Sequence, residues 1–307
     1  MMMRDYLSVD DLSTAELTAV LDLAARLKAD PSLHGAALAG KAVALIFEKS
    51  STRTRVSFEI GVAQLGAHPL TLSSSDLHLG RGETIEDTGR VLSRYVDAIV
   101  LRTFEQERLE VLAEAADVPV VNSLSDFEHP CQALADLLTI REHLGSMAGK
   151  VLTYVGDGNN VAHSLLLAGA KMAMTVRVAT PVGFAPIPQV VERATEIARE
   201  TGGAVEVGTD PAAAATGADV LYTDVWASMG QEDEAEERAL VFQPYQLNQD
   251  LIDVADAHVL VMHCLPAHRG EEIADVAIDG EHAVVFDQAE NRLHTQKALL
   301  VFLFGLA

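Results

Sequence analysis

Ala42-Val43-Ala44-Leu45-Ile46-Phe47-Glu48-Lys49-Ser50-Ser51-Thr52-Arg53-Thr54-Arg55-Val56-Ser57-Phe58-Glu59 is the stretch from which the rest of the chain is read. Its first six residues form an unbroken apolar run, the pattern of a strand buried on both faces. Val56, Ile60, Ala63 and Gln64-Leu65 are then expected near one face of a helix. A strand that turns sharply into a helix presents unbonded backbone N–H groups and the positive end of the helix dipole, which together favour an anion. Here the turn adds hydroxyls at Ser51, Thr52 and Thr54 and guanidiniums at Arg53 and Arg55, with no carboxylate among them. The guanidinium fork suits a phosphate. The plainer alternative is a helix capped by the Ser51 or Thr52 hydroxyl. The turn is not a Walker loop, because it lacks the glycines and the Gly-Lys-Ser/Thr ending.

Outward from this turn, strand and helix patterns alternate. A first helix ends at Asp30-Pro31, since the residue before proline avoids the helical region. Strands are expected over 68–72, 97–101 and 118–122, with helices over 84–95 and 105–116. The segment Asp126-Phe127-Glu128-His129-Pro130-Cys131-Gln132 opens a long helix that reaches about His143. The second half repeats the alternation, with strands over 151–155, 175–179, 204–207, 220–223 and 258–262, and a last strand expected at 284–286. An acidic loop is expected over 227–238, and a final helix over 291–304. This order implies an α/β chain of two Rossmann-like three-layer domains with parallel sheets, linked by two interdomain helices. The expected division is 1–135, with a C-terminal helix 290–307 packing back onto it, and 136–289. Ligands of such sheets gather beyond the carboxyl ends of the strands. Ser51, Thr52 and Arg53, then Arg102, then the segment after Asn122 all sit at such ends.

The chain has 307 residues, 49% of them hydrophobic, enough for two domains with cores of their own. No apolar run is long enough to span a bilayer and the start lacks a signal-peptide core, which reads as a soluble, cytoplasmic protein. Cys131 and Cys264 are far apart and form no CxxC pair, so neither a disulfide framework nor a structural zinc site is expected. The net charge of −23 argues against nucleic acid and membrane surfaces as partners. It also means that an anionic substrate needs arginines to reverse the field locally. Lysine is confined to Lys28, Lys41, Lys49, Lys150, Lys171 and Lys297. Such an acid-rich, lysine-poor surface suits a high-salt interior, where screening removes self-repulsion. Gly156-Asp157-Gly158 starts like a dinucleotide fingerprint, but Asn160-Val161 stands where its third glycine belongs, which reads against a nicotinamide nucleotide.

The motifs Ser51-Thr52-Arg53-Thr54-Arg55, His129-Pro130-Cys131-Gln132, Gly156-Asp157-Gly158-Asn159-Asn160, Asp224-Val225-Trp226-Ala227-Ser228-Met229-Gly230, His263-Cys264-Leu265-Pro266 and Ala289-Glu290-Asn291-Arg292 occur in that order. Together they resemble the aspartate/ornithine carbamoyltransferases over nearly the whole chain. The Ser-Met-Gly and His-Cys-Leu-Pro stretches point to the ornithine branch. The resemblance implies carbamoyl phosphate and L-ornithine as partners, reacting to L-citrulline and phosphate, in arginine synthesis or its reverse. It implies a carbamoyl-phosphate domain and an ornithine domain that close on each other, and a homotrimer or a multiple of trimers with sites shared between subunits. It implies no cofactor and no metal.

Residue by residue, the resemblance assigns Ser51, Thr52, Arg53 and Thr54 to the leaving phosphate. Arg102, His129 and Thr54 go to the carbonyl oxygen that becomes an oxyanion, and Gln132 to the carbamoyl amide, with the backbone carbonyls of Cys264 and Leu265 beside it. Arg292 reaches the same ligand from the last helix, and Pro130 and Cys131, within the His129–Gln132 motif, are counted in the carbamoyl-phosphate site with it. Cys131 itself reads as a small buried apolar residue. Asp224 would orient the δ-amine, and Cys264 would orient it or help take its proton. Asn160, Ser228 and Met229 would hold the amino-acid end of ornithine. His78 stands where the family commonly has glutamine, in a loop that enters a neighbouring subunit's site. Other readings are a carbamoyltransferase for another amine such as putrescine, a non-catalytic small-molecule-binding homologue and a nucleotide-dependent oxidoreductase. The salt reading is checked by unfolding midpoints in low and molar KCl: the midpoint rises with salt if the acidic surface is salt-adapted, and stays level if it is not.

Overall fold

The computed structural model describes residues 4–49, 51–73, 82–227 and 234–307. The chain divides into two compact units, Met1–Leu138 with Glu290–Ala307, and Thr139–Ala289. The first unit begins with helix α1 (Thr14–Ala29), whose Ser13 hydroxyl accepts from the Glu16 N–H while the Glu16 carboxylate reaches back to the Ser13 N–H. This reciprocal cap satisfies two otherwise unbonded donors. The alternation follows as β1 (Ala42–Phe47), α2 (Arg53–Gln64), β2 (His68–Ser73), α3 (Ile85–Leu92), β3 (Ala98–Arg102), α4 (Gln106–Ala115), β4 (Val120–Leu124) and α5 (Pro130–Leu144).

The four strands pair in parallel in the order β2-β1-β3-β4. Val43, Ala44, Leu45 and Ile46 are fully shielded because β1 is an inner strand covered on both faces. Ile46, Ile99, Leu101, Leu109, Leu112 and Val120 form one core between this sheet and its helices. Tyr6 extends the far edge, donating to the Val120 carbonyl at 2.9 Å and accepting from Asn122 at 2.8 Å. From β1 the chain runs to one side through β2 and to the other through β3 and β4. The strand order therefore reverses between β1 and β3, which opens a crevice beyond their carboxyl ends.

The second unit contains β5 (Val151–Val155), α6 (Asn160–Lys171), β6 (Thr175–Ala179), α7 (Pro188–Thr201), β7 (Ala204–Gly208), α8 (Pro211–Ala215), β8 (Val220–Thr223), α9 (Ala235–Phe242), α10 (Gln249–Val254), β9 (Leu260–His263) and α11 (Asp275–Ile278). Its parallel sheet has the order β7-β6-β5-β8-β9, so the reversal falls between β5 and β8. Helix α6 is buried along its whole length, which is why its middle, Leu165 to Ala170, is an unbroken run of apolar and small residues rather than a stripe. The last helix, α12 (Val285–Leu303), and α5 each run through a boundary between the units in sequence.

Two expectations need correction. Residues 284–286 are not a strand. Val261 pairs with this segment only at Ala283, through bonds of 2.8 Å from Val261 N–H to His282 and 3.0 Å from Val284 N–H to Val261, and α12 starts at Val285. Val284 and Val285 are both buried, Phe286 and Asp287 are exposed and Gln288 is buried again, a helical rather than an alternating pattern that residues 284–286 alone are too few to reveal. The acidic loop expected over 227–238 ends in α9, whose first turn carries Glu236 and Glu237. Carboxylates at a helix start are favoured by its dipole, so the acidic run marks a helix beginning.

Gly158 shows why the glycine turn after β5 takes no nucleotide phosphate by the usual close approach. Its N–H donates to the Phe184 carbonyl at 2.9 Å, and a Cβ there would lie 2.3 Å from Pro186 N and 2.5 Å from Ala185 C. The space the missing side chain frees is filled by backbone 184–186. Gly158→Ala is expected to cost about 3 kcal/mol, since backbone cannot yield as a side-chain tip can. A urea midpoint equal to that of the parent would show that the neighbouring segment moves aside.

Candidate active site

Two groups of polar side chains stand at the two reversal points, one in each unit. In the first unit, α2 begins at Arg53 with Thr52 at its N-cap, and the Thr52 side chain makes no capping bond. The hydroxyl-cap alternative is therefore not what this turn does. Ser51 Oγ instead accepts from Arg102 Nη1 at 3.4 Å, and Thr54 Oγ1 accepts from Arg292 Nη2 at 2.5 Å. Thr54, Arg102 and Arg292 are all buried, so three cationic or hydroxyl donors are held at the helix start with little water around them. Arg53 is half-buried.

Arg102 gets its position from a break in sheet register: Leu101 pairs with Asn122, but Arg102 pairs with Leu124. The irregularity re-aims the last residue of β3, as bulges beside functional sites do. His129 precedes Pro130 at the start of α5, and its carbonyl accepts from the Gln132 N–H at 3.0 Å. Burial first, and then the Arg292 and Arg102 charges, hold the His129 imidazole well below its ordinary pKa. It is thus a neutral ring that can donate from one nitrogen. Gln132 donates from Nε2 to Asp136 at 2.8 Å, while its buried Oε1 has no hydrogen-bond partner among the described residues. Cys131 is fully buried and donates to the Asn122 carbonyl at 3.3 Å. Burial pushes its thiol up to about 12, so it stays protonated and is no nucleophile.

In the second unit, Asp224 follows β8 and is 7% exposed. Its two oxygens are claimed separately: Oδ1 accepts from the Cys264 thiol at 3.0 Å, and Oδ2 from Asn159 Nδ2 at 2.9 Å. Asn159 Oδ1 caps α6, accepting from Val161 and Ala162 N–H, and lies 3.3 Å from the Tyr154 hydroxyl. One amide therefore aligns a helix start with a carboxylate. Sequence reasoning chose Asn160, which is buried beside it, and missed Asn159, although asparagine at a helix start is a strong cap signal. Asp157 pairs with Arg238 at 2.8 Å. Burial raises the Asp157 carboxyl above its usual range, against the lowering effect of that arginine.

The His263-Cys264-Leu265-Pro266 segment is held by a buried chain of bonds. Leu265 N–H donates to His263 Nδ1 at 2.8 Å, which leaves Nε2 to carry the ring proton and donate to Glu272 at 3.1 Å. Leu265 lies at φ +58 in the left-handed region, a conformation that costs a side-chain-bearing residue about 1–3 kcal/mol and persists only where neighbours enforce it. The His263 bond supplies that enforcement and turns the backbone at Cys264 and Leu265. Ligand atoms of Asp224, His263 and Cys264 lie within 4.8 Å of one another, a group that could take a divalent cation. Both ring nitrogens of His263 and both oxygens of Asp224 are already engaged by the protein. His78, Ser228 and Met229 lie outside the described residues.

Residues 4–142 match the model of the aspartate/ornithine carbamoyltransferase carbamoyl-P binding domain, and residues 148–303 that of the Asp/Orn binding domain. An ornithine carbamoyltransferase of Parafrankia sp. is 60% identical over 303 residues, covering 98% of this chain and 96% of that one. Another, from Acidothermus cellulolyticus, is 57% identical over 306 residues, covering 100% and 98%. Among solved structures, ornithine carbamoyltransferase from Pyrococcus furiosus superposes with a TM-score of 0.96 at 53% identity, covering 99% of this chain and 97% of that one.

The lowered His129 pKa has a thermodynamic consequence. Below about pH 6.5, the ordinary histidine value, the unfolded chain binds a proton that the folded chain refuses. The stabilisation from neutral His129 is complete above that pH and is lost as pH falls toward the folded pKa. His129→Gln is expected to flatten the loss of stability between pH 6.5 and 5 in thermal unfolding, and an unchanged slope would mean that His129 titrates normally.

Proposed function

The chain belongs to the aspartate/ornithine carbamoyltransferase family, and from that premise we propose that it transfers the carbamoyl group of carbamoyl phosphate to the δ-amine of L-ornithine, giving L-citrulline and phosphate. The observation that carries this reading is the first-unit cluster: Ser51 bonded to Arg102 and Thr54 bonded to Arg292, beside a neutral His129. A leaving phosphate gains charge as its bond to carbon breaks, and buried guanidiniums at a helix start stabilise that charge most where water is scarce. Arg53 and the hydroxyls of Ser51 and Thr52 complete the phosphate set. The carbonyl oxygen takes a negative charge as the amine attacks, and Arg102, Thr54 and neutral His129 are donors suited to it. Gln132 Oε1, a buried acceptor, suits the carbamoyl NH₂.

The second-unit cluster suits the amine. Ornithine must lose its ammonium proton before nitrogen attacks, although such a group has a pKa of about 10 in water. Asp224, fixed on both oxygens by Cys264 and Asn159, orients the amine. Desolvation favours its neutral form. Attack forms the carbon–nitrogen bond and sends the carbonyl pair to oxygen. Collapse then expels phosphate, which takes the proton released from nitrogen. Asn160 and, beyond the described residues, Ser228 and Met229 are assigned to the amino and carboxylate groups of ornithine.

We further infer a cytoplasmic homotrimer, or a multiple of trimers, acting in arginine metabolism in a salt-rich interior. Val56 and Ile60 on one face of α2, and Leu70 on the edge strand β2, are 52%, 47% and 38% exposed, an apolar face suited to a second subunit. Among the described residues, no helix is long and apolar enough to cross a membrane. The salt reading is supported by the net charge of −23. His78 is assigned to a neighbouring subunit's phosphate site.

The test is a colorimetric assay with carbamoyl phosphate and a panel of ornithine, putrescine and a modified ornithine, in low and molar KCl. Product from ornithine alone is expected. Product only from another amine would reassign the acceptor, and no product from any amine would overturn the reading.

A further inference from the structure

Glu48 and Arg108 have no part in the site as described, yet they lie directly behind it. The Glu48 N–H donates to the Arg102 carbonyl at 2.9 Å. Its carboxylate, 10% exposed, accepts the Thr103 hydroxyl and takes Arg108 on both oxygens, Nε at 3.2 Å and Nη2 at 2.5 Å. Glu48 leaves β1, Thr103 leaves β3 and Arg108 is on α4. One carboxylate thus ties together the exits of the two strands that carry the phosphate turn and Arg102. A carboxylate is suited to this because it alone offers enough acceptor sites for a hydroxyl and a guanidinium fork together. The next residue, Lys49, is neutralised in the same way: its ammonium pairs with Asp126 and lies 4.2 Å from the Phe104 ring centre.

The arrangement has an electrostatic cost. A negative charge just ahead of Ser51 opposes any anion bound at the turn, and partial burial weakens its screening. We propose that Glu48 is a positioning residue that fixes the exit of β1 against that of β3, and that Arg108 is its counter-charge, cancelling the field that Glu48 would exert on an anionic substrate. Arg108 acts through Glu48 and touches no substrate. In a chain of net charge −23, distant residues do not supply this cancellation. The inference rests on the carbamoyl-phosphate reading of the turn.

The test uses the full-length enzyme, with carbamoyl phosphate as substrate and inorganic phosphate as competing ligand. In low salt, Arg108→Met is expected to raise the KM for carbamoyl phosphate and the inhibition constant of phosphate together, by about tenfold. The defect should shrink in molar KCl, because screening acts on a field and not on a lost contact. The double variant Glu48→Gln/Arg108→Met, whose amide oxygen still accepts the Thr103 hydroxyl and whose backbone bond to Arg102 is kept, should return both constants to within about threefold of the parent, as expected for coupled neighbours. A double variant no better than Arg108→Met, a defect indifferent to salt, or an Arg108→Met enzyme with unchanged constants would each overturn the proposal. If Arg108→Met does not fold, Arg108→Gln removes the charge while keeping a donor to Glu48 and carries the same comparison. A parent that forms no citrulline would remove the substrate reading itself. An active parent with an unaffected Arg108 variant would remove only this inference.

Discussion

The hydrogen bond from Arg292 to Thr54 joins residues 238 positions apart and sets the terms for the first unit. Thr54 is in the first turn of α2, and Arg292 comes from the last helix. For the two to meet, the chain must complete the second unit and then bring its end back to the first. A guanidinium and a hydroxyl buried together are stable only if their hydrogen-bonding capacity is used, so the bond is also a condition on the packing around it. The parallel sheet makes the meeting useful. Its strand order reverses between β1 and β3, so backbone donors, Arg102 and the returning helix share one crevice.

Charge is the second constraint. The chain carries −23, yet its proposed substrate is a phosphate. The conflict is resolved locally. Arg102 and Arg292 are buried where their fields are weakly screened, and the acids that flank the turn in sequence or contact, Glu48 and Asp126, are paired with Arg108 and Lys49. Burial first, and then the charges of the same two arginines, hold His129 neutral, so that it contributes a donor without adding a third charge. The second unit shows the same economy: Asp224 is committed to Cys264 and Asn159, and Asp157 to Arg238.

Much of this was legible in the chain. The apolar run at β1, the donor-rich turn after it and the alternation of strands and helices led to parallel sheets in two units. The misreadings have local causes. Residues 284–286 are apolar enough for a strand, but burial over 284–288 follows helical spacing, two buried, two exposed and one buried, where α12 begins. Glu236 and Glu237 read as solvated loop because their charge serves a helix dipole that sequence does not display. Asn159 was passed over for its neighbour, since only the fold shows which of two adjacent asparagines faces Asp224.

By itself, the sequence determined the type and order of the elements and the chemistry on offer at each strand end, because hydrophobic period, proline and helix-start residues act over a few positions. Only the tertiary structure decided which groups meet and in what state. The shifted pairing that aims Arg102, the neutrality of His129 and the shared carboxylate of Glu48 all depend on contacts between residues distant in sequence. Burial and Coulomb interaction are properties of that spatial neighbourhood, and no local stretch of chain contains them.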